Sequence, residues 1–106
     1  MNTTTTPAPE IEALRGALRT VIDPEVGVNI VDLGLVYEIE VDGRQVRIIM
    51  TLSSPACPMG DMIREDIHAA LRAVLPPGFE SVIDVVWEPA WGPHMMSAAA
   101  RIQFGW

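Results

Sequence analysis

The chain is 106 residues long, 49% of them hydrophobic, with a formal net charge of −7, which suits one small domain with one core. Its excess of acid opposes binding to a phosphate backbone, no run of about 18 apolar residues offers a membrane span, and the N-terminal residues lack the basic and apolar regions of a secretory signal. A single cysteine forbids an internal disulfide and suits a reducing compartment, so the expectation is a cytoplasmic protein that binds neither nucleic acid nor membrane.

Residues 1–9 form a polar tail of threonines and prolines with nothing to bury, and disorder is expected there. The domain proper is expected over residues 10–106. From about Pro9, Ile11, Leu14, Leu18 and Val21 recur at spacings of three and four, which predicts a helix with one buried face. Asp23-Pro24 should stop it, because a residue before proline is pushed out of helical geometry. Residues 23–34 are long for a connection yet carry Val28, Ile30, Val31 and Leu33. This predicts an ordered loop packed on the body of the domain, with the acids Asp23, Glu25 and Asp32 pointing elsewhere. Asp23 and Asp32 can equally be read as caps of turns or helix ends.

A hairpin follows. Leu35, Tyr37, Ile39 and Val41 alternate with polar residues before Asp42-Gly43, and Val46, Ile48, Met50 and Leu52 alternate after it. With Asp42 and Gly43 as a two-residue loop, Ile39 falls opposite Val46, Tyr37 opposite Ile48 and Leu35 opposite Met50. The same register sets Glu38 across from Arg47, a pair worth roughly 0.2–1 kcal/mol, and Val36 across from Ile49 on a second, partly apolar face.

The stretch from Thr51 to Asp61 then joins the second strand to a second helix and holds the lone Cys57. Pro58 is well placed at a first helical position, so Cys57 sits near an N-cap, where free N–H groups and the helix dipole favour a thiolate. The hydroxyls of Thr51, Ser53 and Ser54 lie just upstream. A lone cysteine of this kind is also commonly a small buried hydrophobe.

The second helix is expected over residues 58–74, with Met59, Ile63, Ile67, Leu71 and Val74 on the buried stripe. Met59 and Met62 read as core filler and His68 as a solvated surface residue. Pro76-Pro77-Gly78 ends the helix, and residues 81–88 read as a third strand with Ile83, Val85 and Trp87 facing the helices. Strand, helix and strand make a crossover unit, so the second and third strands should be parallel. The fold class is α+β: a small two-layer domain in α-β-β-α-β order, with a three-stranded mixed sheet, helices on one face and a short C-terminal helix capped by Ser97. Val36, Ile49, Val82 and Val86 remain on the open face and call for a cover, either a second copy or the C-terminal segment. Trp91 reads first as packing.

Several ordered stretches, taken together, make the chain recognisable. Asp23-Pro24-Glu25, Asn29-Ile30-Val31-Asp32-Leu33-Gly34-Leu35-Val36-Tyr37, residues 50–58 with Cys57, and Trp91 followed by Met96-Ser97 resemble the SufT/PaaD-like iron-sulfur assembly factors, a family that includes the cytosolic targeting factors of eukaryotes. Two departures are Ala90, where a second proline often precedes the tryptophan, and Glu88, where aspartate is frequent. The resemblance implies a non-enzymatic role in maturing iron-sulfur proteins, with Cys57 as the functional thiolate and metal ligand and Asp23, Glu25, Thr51 and Ser54 around it. One cysteine cannot complete a cluster that ordinarily takes four thiolates. The implied cargo is therefore a labile iron-sulfur cluster shared between subunits or with a client. The implied partners are client iron-sulfur apoproteins, assembly scaffold proteins and a second copy of the chain.

Two other readings stay open. A PaaD-like adaptor of an aromatic-ring oxygenase system belongs to the same family, although those members carry an additional cysteine-rich C-terminal segment, absent after Trp106. A cysteine-dependent enzyme would need a base near Cys57, and neither His68 nor His94 is brought to it by spacing.

Overall fold

The computed structural model describes residues 10–24, 26–52 and 60–105. The tail over residues 1–9 and the start of the second helix at residues 58–59 lie outside these described residues.

Helix α1 (Ile11–Leu18) is followed by two short strands, β1 (Ile22–Asp23) and β2 (Val28–Asn29). Then come β3 (Val36–Asp42), β4 (Gln45–Met50), α2 (Gly60–Val74), β5 (Glu80–Val85) and α3 (Ala98–Phe104). The main sheet has the order β3-β4-β5, with β3 and β4 antiparallel and β4 and β5 parallel. This is the expected mixed sheet with a crossover helix. Leu14 and Leu18 of α1 and Ile63, Ile67 and Leu71 of α2 meet Ile39, Val46, Ile48 and Met50 of the sheet in one core. The helical residues recur at spacings of four, the strand residues at spacings of two, so each element turns one apolar face to the other layer.

Helix α1 ends earlier than Asp23-Pro24 would require. The Thr20 hydroxyl donates to the Ala17 carbonyl at 2.7 Å, and Ile22–Asp23 is already extended as β1, paired antiparallel with β2. Ile11 stays exposed, while Leu14, Leu18 and Val21 are buried.

The hairpin loop differs by one residue from the expected one. Asp42 pairs with Gln45, so Gly43 and Arg44 form the turn. Gly43 takes the first central position with φ +61°, and no non-glycine residue among those described has a positive φ. That combination marks a type II′ turn, whereas reading Asp42-Gly43 as the central pair assumes a type I′ turn. Ile39 therefore faces Ile48, and Arg47 faces Glu40 rather than Glu38. Arg47 also reaches the carboxylate of Asp84 at 3.5 Å. Moving the loop by one residue shifts partners by two, so every side chain keeps its face.

A bulge between Val36 and Glu38 makes Tyr37 an extra residue and sets Val36, not Leu35, opposite Met50. Val36 is thereby partly buried against the core instead of lying across from Ile49. In α2 the stripe is narrower than expected, with Ile63, Ile67 and Leu71 fully buried but Met62 48% and Val74 51% exposed. Strand β5 begins at Glu80 and ends at Val85, so Ile83 and Val85 pack on the core as expected while Trp87 lies beyond the strand and is exposed.

On the other face Ile49, Val82 and Val86 are half-buried and interleaved with Glu38, Glu40, Arg47 and Asp84. The C-terminal segment packs at one end of the sheet. Met96 and Ala100 enter the core, and the Ser97 side chain caps α3 by accepting from the Ala100 N–H at 3.1 Å.

Candidate functional site

Three backbone hydrogen bonds tie the segments of the site together. Ile30 N–H donates to the Val21 carbonyl at 3.0 Å, Leu35 N–H to the Ile30 carbonyl at 3.0 Å, and Thr51 N–H to the Leu35 carbonyl at 2.8 Å. The residues next to Asp23, the start of β3 and the end of β4 are thus joined at one end of the sheet. Both described polar candidates are buried there, Asp23 at 4% and Thr51 at 1% exposure. Burial corrects the expectation that Asp23 points away from the body of the domain. Its carbonyl closes a turn by accepting from Val26 N–H at 3.3 Å and Gly27 N–H at 2.8 Å.

Cys57, Ser54 and Glu25 lie outside the described residues, as do all of residues 53–59. The two ends of that connection are well defined. Leu52 and Gly60 are both buried, and a Cβ added to Gly60 would lie 3.1 Å from Leu52 Cδ1. The described residues on either side of the Cys57 segment, Leu52 and Gly60, thus meet in the core directly after Thr51. The Thr51 hydroxyl is 3.3 Å from the Leu52 carbonyl, a long hydrogen bond.

The loop between β2 and β3 is stiffened by its own polar residues. Asn29 Nδ2 donates to Asp32 Oδ2 at 2.9 Å, and Asp32 N–H donates to Asn29 Oδ1 at 2.9 Å. Asp32 serves as a turn residue, the simpler of the two readings its sequence allowed. The C-terminal segment then clasps the loop from outside. Trp91 Nε1 donates to the Leu33 carbonyl at 2.7 Å, Ser97 N–H to the Asp32 carbonyl at 2.8 Å, and the Tyr37 hydroxyl to the Pro89 carbonyl at 2.6 Å. Gly34 has φ +80°, and any Cβ there would overlap the Met95 carbonyl. Trp91 is thus packing and a hydrogen-bond donor together. Sequence reasoning missed the parts of Tyr37, Gly34 and Met95, because their partners lie far along the chain.

His68 is also placed differently from expectation. It is half-buried, with Nδ1 2.6 Å from Ser81 Oγ, and it lies on α2 eight residues past Gly60. Among the described residues no three His, Cys, Asp or Glu side chains gather as a metal site. Asp23 and Thr51 offer oxygen, a harder donor than an iron-sulfur cluster prefers. No helix among the described residues is long and apolar enough to cross a membrane.

Known proteins resemble this arrangement closely. Residues 11–85 match the family model described as iron-sulfur cluster assembly protein. The chain is 42% identical over 95 residues to the Fe-S protein maturation auxiliary factor YitW of Bacillus subtilis, covering 89% of this chain and 92% of that one. It is 44% identical over 86 residues to the Fe-S protein maturation auxiliary factor SufT of Staphylococcus aureus, covering 80% and 97% respectively. A crystal structure of a domain of unknown function, DUF59, from Bacillus anthracis superposes with a TM-score of 0.84 at 41% identity, over 89% of this chain and 90% of that one. With the family model spanning α1 through β5 and these relatives matched over most of their length, the chain belongs to the iron-sulfur cluster assembly protein family.

Proposed function

We propose that this protein is a non-enzymatic factor in the maturation of client iron-sulfur proteins, with Cys57 as the thiolate that meets cluster or client. The observation that carries the reading is the burial of Asp23 and Thr51 at the base of the Cys57 segment, whose ends close against each other through Leu52 and Gly60. Functional residues concentrate on connections held by a rigid scaffold. Ser54 and Glu25 complete the proposed surroundings of Cys57. The names of the Bacillus and Staphylococcus relatives favour maturation over service to an aromatic-ring oxygenase.

The iron-sulfur cluster is cargo in this reading. Cys57 is the only cysteine in the chain, and clusters ordinarily take four thiolates. The remaining ligands come from a second subunit or from the client, and such shared binding is labile, which suits transfer. The partners are then client apoproteins and assembly scaffolds, met in the cytoplasm, and a homodimer is one way to complete the ligand set.

Anaerobic reconstitution with iron and sulfide, followed by absorption spectra and size exclusion, tests the ligand role. The wild type should develop a cluster chromophore and Cys57→Ala should not. Client enzyme activity in cells lacking the native copy should recover with the wild type and fail with Cys57→Ala. Full recovery with the alanine variant would remove Cys57 from the function.

A further inference from the structure

Strand β3 is an edge of the main sheet, with β4 on one side and no described strand on the other. Which of its main-chain groups face the open side follows from the bonds that β4 makes. Glu80 N–H donates to the Arg44 carbonyl and Val86 N–H to the Met50 carbonyl, both at 2.8 Å. Val46, Ile48 and Met50 therefore turn their polar groups to β5, and Gln45, Arg47 and Ile49 turn theirs to β3. The residues opposite those three are Asp42, Glu40 and Glu38. Ile39 and Val41, lying between them, point their N–H and C=O groups away from β4, and no backbone hydrogen bond from a described loop reaches either one. The C-terminal clasp meets the strand at its start, through the Tyr37 hydroxyl and the Pro89 carbonyl.

The charged side chains along this edge are of one sign. Glu38, Glu40 and Asp42 alternate along β3 on the face away from the helices, all three exposed, at intervals of roughly 7 Å set by the rise of a strand. The only base in the three strands is Arg47, opposite Glu40, and its guanidinium is drawn across to Asp84 at 3.5 Å. Such an edge repels a second copy of the chain. Antiparallel pairing of two β3 strands would bring carboxylates opposite carboxylates, between chains that each carry a formal charge of −7. The same row of charges favours an added strand with Lys or Arg at alternate positions, each beside one of the three carboxylates. The intervening residues of that strand would lie on the helix side of the sheet beside the half-buried Val41, where β-branched apolar side chains fit.

We infer that the β3 edge is a docking site for an extended basic segment of a partner protein, added antiparallel to the main sheet through Ile39 and Val41. Antiparallel addition lets each of these residues exchange both of its main-chain hydrogen bonds with one residue of the partner. The site lies toward the hairpin end of β4, away from Thr51, and stands independently of the role of Cys57. A short acetylated and amidated peptide of alternating lysine and valine is the probe, titrated into the full chain at constant ionic strength and followed by amide NMR. Saturating shifts are expected along β3, with slower hydrogen exchange at the Ile39 and Val41 amides. Glu38→Gln combined with Glu40→Gln should weaken binding about tenfold. Glu65→Gln combined with Asp66→Asn, which removes two exposed charges from α2, should change nothing. The same peptide N-methylated at its valines keeps its charge, loses the donors that face Ile39 and Val41, and should not bind. Shifts spread evenly over the acidic surface, undiminished binding of the N-methylated peptide, or an equal loss in the α2 variant would mean non-specific charge attraction and overturn the site. Slow exchange at Ile39 and Val41 in the chain alone, increasing with protein concentration, would also overturn it by assigning the edge to a second copy.

Discussion

Gly34 shows how much one residue can decide at the candidate site. Its φ of +80° is in the left-handed region, and the backbone of Met95 occupies the space a side chain would need. Gly27 has a similar φ of +75° but open space around it. Gly34→Ala should therefore lose more than the roughly 1–3 kcal/mol that left-handed strain alone costs, because the alanine also drives Met95 away from the loop. Gly27→Ala should lose only the strain. Urea denaturation of both variants, with the Trp91 indole N–H resonance as a marker of its bond to Leu33, checks this. Equal losses at the two positions would mean that the clasp of the C-terminal segment contributes little. Asp23 and Thr51 carry the same lesson in polar form, since their residue types announced a candidate role and only the packing put them at 4% and 1% exposure.

Among the elements, α2 separates pattern from position. The periodic stripe reads Met59, Ile63, Ile67, Leu71, Val74, yet the sheet is met only by Ile63, Ile67 and Leu71 among its described members. Leu75, four residues past Leu71, continues the packed face, while Val74, three past it, falls to the side and is half in water. Ile67→Ala should cost about 2–5 kcal/mol of stability, whereas Val74→Ala should stay within about 0.5 kcal/mol of the wild type. Comparison of urea midpoints at unchanged slope decides the matter, and a large loss at Val74 would show that the end of α2 is covered in solution. The hairpin is the second case. Its alternation correctly assigned faces to Ile39, Val46 and Ile48, while partners were misassigned because an Asp-Gly pair is compatible with more than one turn type and glycine at the first central position selected II′.

For the whole molecule, β4 is the structural centre. It alone of the main strands is paired on both sides, and Val46, Ile48 and Met50 are completely buried. Its amides should exchange with deuterium most slowly, near the rate of global unfolding, while β1 and β2, two residues each and paired only with one another, should exchange by local opening. Native-state exchange followed by NMR tests this, and protection of β1 and β2 equal to that of β4 would mean that the loop near Asp23 unfolds only with the core. The placement matters for function because β4 ends at Met50, immediately before Thr51 and the Cys57 segment, so the candidate site follows directly on the central, most buried strand.

Read alone, the amino-acid sequence determined the order of the main helices and strands, the parallel crossover and the faces of β4 and of β3 beyond its bulge. These depend on local periodicity and on the handedness of chain connections, which neighbouring residues set among themselves. It also made the family recognisable, through several ordered motifs of which Cys57 is one. Tertiary structure alone decided which acid is buried, how Tyr37, Gly34 and Trp91 bind the C-terminal segment to the loop, and that His68 pairs with Ser81. Each of these depends on groups distant in the chain, from 13 residues for His68 and Ser81 to 58 for Trp91 and Leu33. No local pattern encodes such a contact, because its energy arises only once the two layers have packed and excluded water.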